Sequence, residues 1–168
     1  MQSESFERSK WFPDAELNFA QNLLQYRDQK GAIVFRDEDG NRKSISYSEL
    51  YNIAGSVAAE LKKLGVSKGD RVAAIMPNLP ETIIAMLATT WLGAIWSSCS
   101  PDFGVDGVLE RFEQIRPKIL IACDGYKFKG KTFSILDKVS TIQERLNCIT
   151  ILVSWQSCGK LPSTIPWE

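Results

Sequence analysis

Residues Arg71 to Gly104 read RVAAIMPNLPETIIAMLATTWLGAIWSSCSPDFG. Two short apolar runs, RVAAIMP (71–77) and AIWSSC (94–99), enclose a stretch that is apolar nearly all round. A short run without polar alternation reads as a strand buried on both faces, and an all-round apolar stretch of helical length reads as a helix covered on both sides. Asn78 is placed to cap that helix, with Pro80 and Glu81 in its first turn, and Gly93 ends it. The alternation continues downstream. Val105 to Arg116 carry Val108, Leu109 and Phe112 on one helical face, KILIAC (118–123) reads as a third strand, Leu136 to Leu146 as a further helix and CITILVS (148–154) as a further strand. Strand, helix and strand in alternation predict an α/β fold, a doubly wound βαβαβ unit over Met76 to Ser154.

Working outward, AIVFRDEDGNRKSISY (32–47) alternates apolar and polar residues on both sides of Asp39-Gly40, a pair that supplies the positive φ of a hairpin turn. Ser48 is then read as the cap of a helix whose stripe is Leu50, Ile53, Ala54, Val57, Ala58, Leu61 and Leu64, stopped by Gly65. Within Phe6 to Tyr26, Leu17, Ala20, Leu23 and Leu24 are spaced to share one face of a short packing helix. At the other end, WQSCGKLPSTIPWE (155–168) is rich in Pro, Ser and Gly and shows no closing element. The expected division is a packing segment over 1–30 and an incomplete α/β domain over 31–168, the remainder lying beyond this chain.

Composition removes several classes of function. Twenty Lys and Arg balance twenty Asp and Glu without runs, which predicts no nucleic-acid partner. No apolar stretch is long enough to cross a bilayer and the first residues carry no targeting pattern, so a soluble, cytoplasmic protein without membrane insertion is expected. The chain has no histidine. That removes His-dependent triads and the commonest metal ligand, and it disposes of Asp102-Phe103-Gly104 as a kinase signature, which needs a His-Arg-Asp loop upstream. Cys99, Cys123, Cys148 and Cys158 stand far apart and are read as reduced, mostly buried thiols. No catalytic residue and no metal ligand are assigned.

What remains is binding. In an open parallel sheet the ligand crevice lies outside the carboxyl ends of the strands, where SSCSPDFG (97–104) sits. Small residues let a ligand approach the backbone and the following helix aims free N–H groups at an anion; the alternative is a tight connection in which Asp102 merely caps the helix. DGYKFKGK (124–131) should open on the same rim as a loop, with Lys127, Lys129 and Lys131 around Gly130 either holding phosphates or standing solvated. It lacks the spacing of a Walker A. Trp91 and Trp96 are either core or pocket walls.

The stretch from Leu50 to Gly104, with the Tyr-x-Glu-Leu of residues 47–50 opening its helix and a Gly-Asp-Arg-Val strand, Met-Pro-Asn turn and Gly-Ala strand following in order, resembles the N-terminal portion of the large domain of the adenylate-forming acyl-CoA synthetases. WFPDAELNFAQNLL (11–24) resembles the leading segment of the acetate-activating branch, and GAIWSSCSPDFGVDGVLERFEQIRPKILI (93–121) is most similar to the acetoacetate-activating branch. The resemblance implies a two-step ligase using ATP, with Mg2+, and coenzyme A, small-molecule substrates throughout. It also implies coenzyme A contacts at Ser100, Pro101, Asp102 and Phe103 and at Lys129 and Lys131. Pro101-Asp102-Phe103 departs from the Gly-Gly-Phe of the acetate branch, and lysines replace its arginines. The family's phosphate loop, ribose-binding Asp and catalytic Lys match nothing here, so this chain alone is expected to be inactive, to hold no ligand tightly, and to self-associate through an uncovered sheet edge or apolar face. Rival readings are a non-catalytic interaction module, a flavodoxin-like nucleotide binder, or a ligase for another short acid such as acetate.

Overall fold

A computed structural model of the chain describes residues 11–162 and 164–167. The first helix, α1 (Phe19–Leu23), is a single turn and a half capped by Asn18, whose side chain accepts from the Gln21 N–H. Only part of the expected face is buried: Ala20 and Leu24 are, whereas Leu17 is 91% and Leu23 43% exposed. A five-residue helix is too short to carry a stripe spanning Leu17 to Leu24, and the Phe6–Lys10 part of that expectation lies outside the described residues.

Strands β1 (Gly31–Arg36) and β2 (Arg42–Ser46) form the expected antiparallel hairpin, with Gly40 at φ +85° in its turn. Helix α2 (Tyr47–Lys63) begins one turn-position earlier than expected, because its cap is Ser46 and not Ser48. The Ser46 side chain accepts from the Glu49 N–H while the Glu49 carboxylate accepts from the Ser46 N–H, a reciprocal box that satisfies two otherwise orphaned donors.

The five-stranded sheet follows: β3 (Arg71–Ile75), α3 (Pro80–Trp91), β4 (Ile95–Cys99), α4 (Val105–Ile115) and β5 (Ile119–Cys123). Asn78 does not cap α3. The cap position is Leu79, without a side-chain bond; Pro80 supplies the helical φ at the first position, and the Thr82 hydroxyl donates to the Pro77 carbonyl. DGYKFKGK, expected as a loop, is instead a second hairpin, β6 (Gly125–Phe128) and β7 (Lys131–Ser134). Its alternation of Tyr126, Phe128 and Phe133 with lysines is a strand pattern, and Lys129 and Gly130 both adopt positive φ in the two-residue turn. Then come α5 (Leu136–Leu146) and β8 (Ile149–Val153). The tail does close: β9 (Thr164–Pro166) pairs in parallel with β8 as an edge strand, where a proline is tolerated.

All five sheet strands are parallel, in the order β4-β3-β5-β8-β9. Moving from β3 outward to β4 and back across to β5 reverses direction. Right-handed crossovers therefore put α3 on one face and α4 with α5 on the other, consistent with α2 packing on α3 and α4 on α5. Every residue of β5 is buried, as are Val72 to Ile75 of β3. Val72, Ile75, Ile119, Leu120 and Ile121 each contribute about 1.5–3 kcal/mol relative to exposure, the alanines less. A smaller apolar cluster joins α1, α2, α3 and the first hairpin through Ala20, Leu24, Ile45, Leu50 and Leu87. Trp91 and Trp96 pack half-buried against the main core.

Candidate functional site

Counted along the chain, the sheet order is 2-1-3-4-5, with the reversal between β3 and β5. There the two chain exits leave for opposite faces, and the backbone cannot fill the gap between them. A crevice of about 640 Å³ opens at this point. Met76, Pro77, Asn78 and Thr82 line it after β3, Ser98 to Asp102 after β4, and Tyr126, Lys127 and Phe128 after β5. An adjoining hollow of about 400 Å³ shares Pro77, Asn78 and Lys127 and is closed by the acidic tip of the first hairpin.

Of the residues expected to bind, Ser100, Pro101 and Asp102 line the crevice and Phe103 does not. Phe103 turns away, with the Arg111 guanidinium 5.0 Å from its ring centroid. Asp102 is exposed and caps nothing: the α4 cap is Gly104, without a side-chain bond. The capping alternative is therefore set aside. Lys129 and Lys131 stand exposed on the second hairpin outside the crevice. Lys127, within β6, is the lysine that faces it.

The two hairpin tips are clasped. The Glu38 carboxylate accepts from the backbone N–H groups of Lys129 and Gly130, at 3.2 and 2.9 Å, and Asp39 pairs with Lys127. Hydrogen bonding to Asp39 holds the Lys127 ammonium above the ordinary lysine range.

Two side chains missed by sequence reasoning shape the rim. Asp124, fully buried at the end of β5, accepts from the backbone N–H groups of Trp155 and Gln156 through one oxygen and of Cys158 through the other, at 2.8–2.9 Å. Its signal was a charged residue followed by Gly at the end of an apolar strand. The glycine is required: a Cβ on Gly125 would stand 2.7 Å from both Cys158 Sγ and the Phe133 carbonyl oxygen. Lys138 of α5 reaches across to donate to the carbonyls of Pro101 and Phe103, both at 2.7 Å. Nothing in the local sequence marked it, because its partners are backbone atoms more than thirty residues away.

Neither buried thiol near the rim is poised as a nucleophile. Burial, with the Asp124 charge second, pushes Cys123 up to about 12, and burial raises Cys99 despite Arg111 nearby. Among the described residues no group of three or more acidic or thiol side chains is placed to hold a metal ion. The site offers hydrogen-bond donors, small side chains and one positioned ammonium, which is binding chemistry.

The family described as AMP-binding enzyme matches residues 19–163. The chain belongs to that family. Among curated relatives, the chain is 47% identical over 147 residues to acetoacetyl-coenzyme A synthetase of Rhizobium meliloti (strain 1021), covering 88% of this chain and 23% of that protein. It is 38% identical over 139 residues to acetoacetyl-CoA synthetase of Xenopus tropicalis, covering 82% and 21%. The structure of acetoacetyl-CoA synthetase from Streptomyces lividans superimposes with a TM-score of 0.89 at 36% identity, over 94% of this chain and 25% of that one. An acyl-CoA synthetase of Brucella canis, at 19% identity and a TM-score of 0.74, shares the fold. The chain thus spans under a quarter of the length of these curated relatives.

Proposed function

We propose that this chain is the N-terminal part of the large domain of an ATP-dependent acid–thiol ligase that makes acetoacetyl-CoA from acetoacetate, ATP and coenzyme A. In that reaction a carboxylate oxygen attacks the α-phosphorus of ATP and pyrophosphate leaves; the coenzyme A sulfur then attacks the acyl carbon and AMP leaves. The observation that carries the reading is the crevice at the strand reversal, lined by Ser100, Pro101, Asp102 and Lys127, in a chain 47% identical to an acetoacetyl-coenzyme A synthetase. The role read for this region is binding. Small side chains at Ser98 and Ser100 admit a ligand to the backbone, and the Lys127 ammonium faces a phosphate-bearing part of coenzyme A. Mg2+ enters with ATP; the described residues gather no ligand set for it, and no step is assigned to it here.

The test uses the ligase that contains this segment. Lys127→Ala should raise the KM for coenzyme A up to about tenfold, the worth of one charge-assisted contact near water, while acetoacetate-dependent pyrophosphate exchange stays near wild type. Lys129→Ala with Lys131→Ala should do less. Exchange that depends on acetate rather than acetoacetate would redirect the substrate assignment, and a coenzyme A KM unmoved by Lys127→Ala would remove the crevice from the thiol step.

A further inference from the structure

The turn from Ser100 to Gly104 forms one wall of the crevice, yet its own bonding is sparse. Its internal backbone bond, from the Phe103 N–H to the Ser100 carbonyl, is long at 3.3 Å. Pro101 has no N–H to give, Gly104 caps α4 without a side chain, and Asp102 is exposed. A five-residue turn with so few bonds of its own is weakly held by its own backbone.

Lys138 supplies what the turn lacks. It rises from the first turn of α5, two residues into a helix that starts after the second hairpin, and its ammonium donates to two carbonyls of the turn at 2.7 Å each. Ionised donors make hydrogen bonds about twice as strong as neutral ones. The two accepting carbonyls flank Asp102, so one cation pins the turn on both sides of the residue that faces the crevice. We propose that Lys138 is a positioning residue: it sets the shape of the Ser100–Gly104 wall, and through it the ligand crevice, without touching ligand itself. Its meaning for coenzyme A rests on the function proposed above; the pinning does not.

Burial draws the Lys138 ammonium below the ordinary lysine range, with Asp102 opposing, as expected of a cation taken partly out of water to serve carbonyl groups. Arginine at this position keeps the charge and offers a fork of donors that can reach both carbonyls. Methionine keeps the length and apolar stem and donates nothing.

Cys99 reports on the wall directly. It is the last residue before the turn, lines the crevice and is 6% exposed, whereas Cys123 at 0% reports on the core. The experiment measures the rate at which a thiol reagent labels each cysteine of the 168-residue chain, resolved by peptide mapping. Lys138→Met should label Cys99 at least about tenfold faster, the loss of one charge-assisted contact or more, with Cys123 unchanged. Lys138→Arg should return Cys99 to within about threefold of wild type. Unchanged labelling of Cys99 in Lys138→Met overturns the proposal. So does equal acceleration of Cys99 and Cys123, which marks general loosening, and so does an arginine variant that behaves like methionine. Should Lys138→Met fail to fold, nitrogen-15 spectra of the lysine ammonium groups in the unmodified chain decide: Lys138 protons protected from exchange support the pin, and solvent-exchanging ones refute it. In the ligase that contains this segment, added coenzyme A separates the two readings, since slowed Cys99 labelling supports the crevice as its site and unslowed labelling counts against that site alone.

Discussion

At the end of β5 a carboxylate gathers backbone N–H groups, and at the end of β4 an ammonium borrowed from α5 gathers backbone C=O groups. Asp124 is short, completely buried, and ties the segment after β8 to its own strand. Lys138 is long, half-buried, and ties a helix to a neighbouring strand's turn. A short side chain loses little rotamer freedom on being fixed, whereas a lysine loses up to about 2 kcal/mol. The first junction is therefore part of the core, and the second is a wall laid on it and held by one long side chain. A site between them has one side fixed in the core and one side fixed by Lys138.

The largest expected effect comes from breaking the rigid side. Asp124→Ala leaves three part-buried backbone N–H groups without their acceptor, and should cost about 3 kcal/mol, since hydrogen bonds to charged groups contribute roughly 1.5–3 kcal/mol each and do not add fully. Urea denaturation measures it; a loss under about 1 kcal/mol would show that the β5 junction stands without its carboxylate and that the contrast is false.

A smaller effect sharpens the same contrast through pH. Cys123, next to Asp124, holds its proton in the folded chain to about 12 against an ordinary 9.0. Below pH 9 both states are protonated and nothing changes. As pH rises from there towards 12, the unfolded chain releases a proton that the folded chain keeps, so stability falls, by at most about 1.4 kcal/mol per pH unit. Cys99, Cys148 and Cys158 are shifted in the same direction, so the quantity to measure is the difference between wild type and Cys123→Ala. That variant should lose part of the alkaline slope; an identical slope would mean the end of β5 is wetter than the fold implies.

The smallest effect belongs to the other aspartate. Asp102→Asn, at an exposed position that caps nothing, should leave stability within about 0.5 kcal/mol. A loss near that of Asp124→Ala would mean that the two strand ends are built alike.

The unequal legibility of these parts has a physical cause. Strands β3, β5 and β8 were readable because burial leaves them almost only apolar residues, and helices α2 to α5 because their buried positions recur at the helical period; β4, an edge strand with Ile95 and Ser98 exposed, was readable from its place in the alternation. Residue type alone does not separate Ser46 from Ser48 as the cap of α2; the box spacing does, because Ser46 and not Ser48 has Glu three positions on. The second hairpin was taken for a loop because its four-residue strands are too short, and its lysines too frequent, for alternation to stand out. Ser100, Pro101 and Asp102 stand at the crevice, where the topology rule puts them. Lys127 was passed over in favour of Lys129 and Lys131, since which strand residue points inward depends on a register that residue type does not reveal. Asp124 and Lys138 bind backbone atoms supplied by distant segments, and such partners leave no mark in the sequence around them.

The clasp between the hairpin tips has a consequence for how the crevice comes into being. Asp39 meets Lys127 across 88 residues of chain, and Glu38 meets Lys129 and Gly130 across 91 and 92. The entropy of closing so long a ring grows only with the logarithm of its length, but no contact at the lip can form until α2, three strands and two crossover helices have brought the tips together. The lip is thus a ring-closing step performed by the whole fold, and a disturbance anywhere inside that ring is felt as a change in the opening of the crevice.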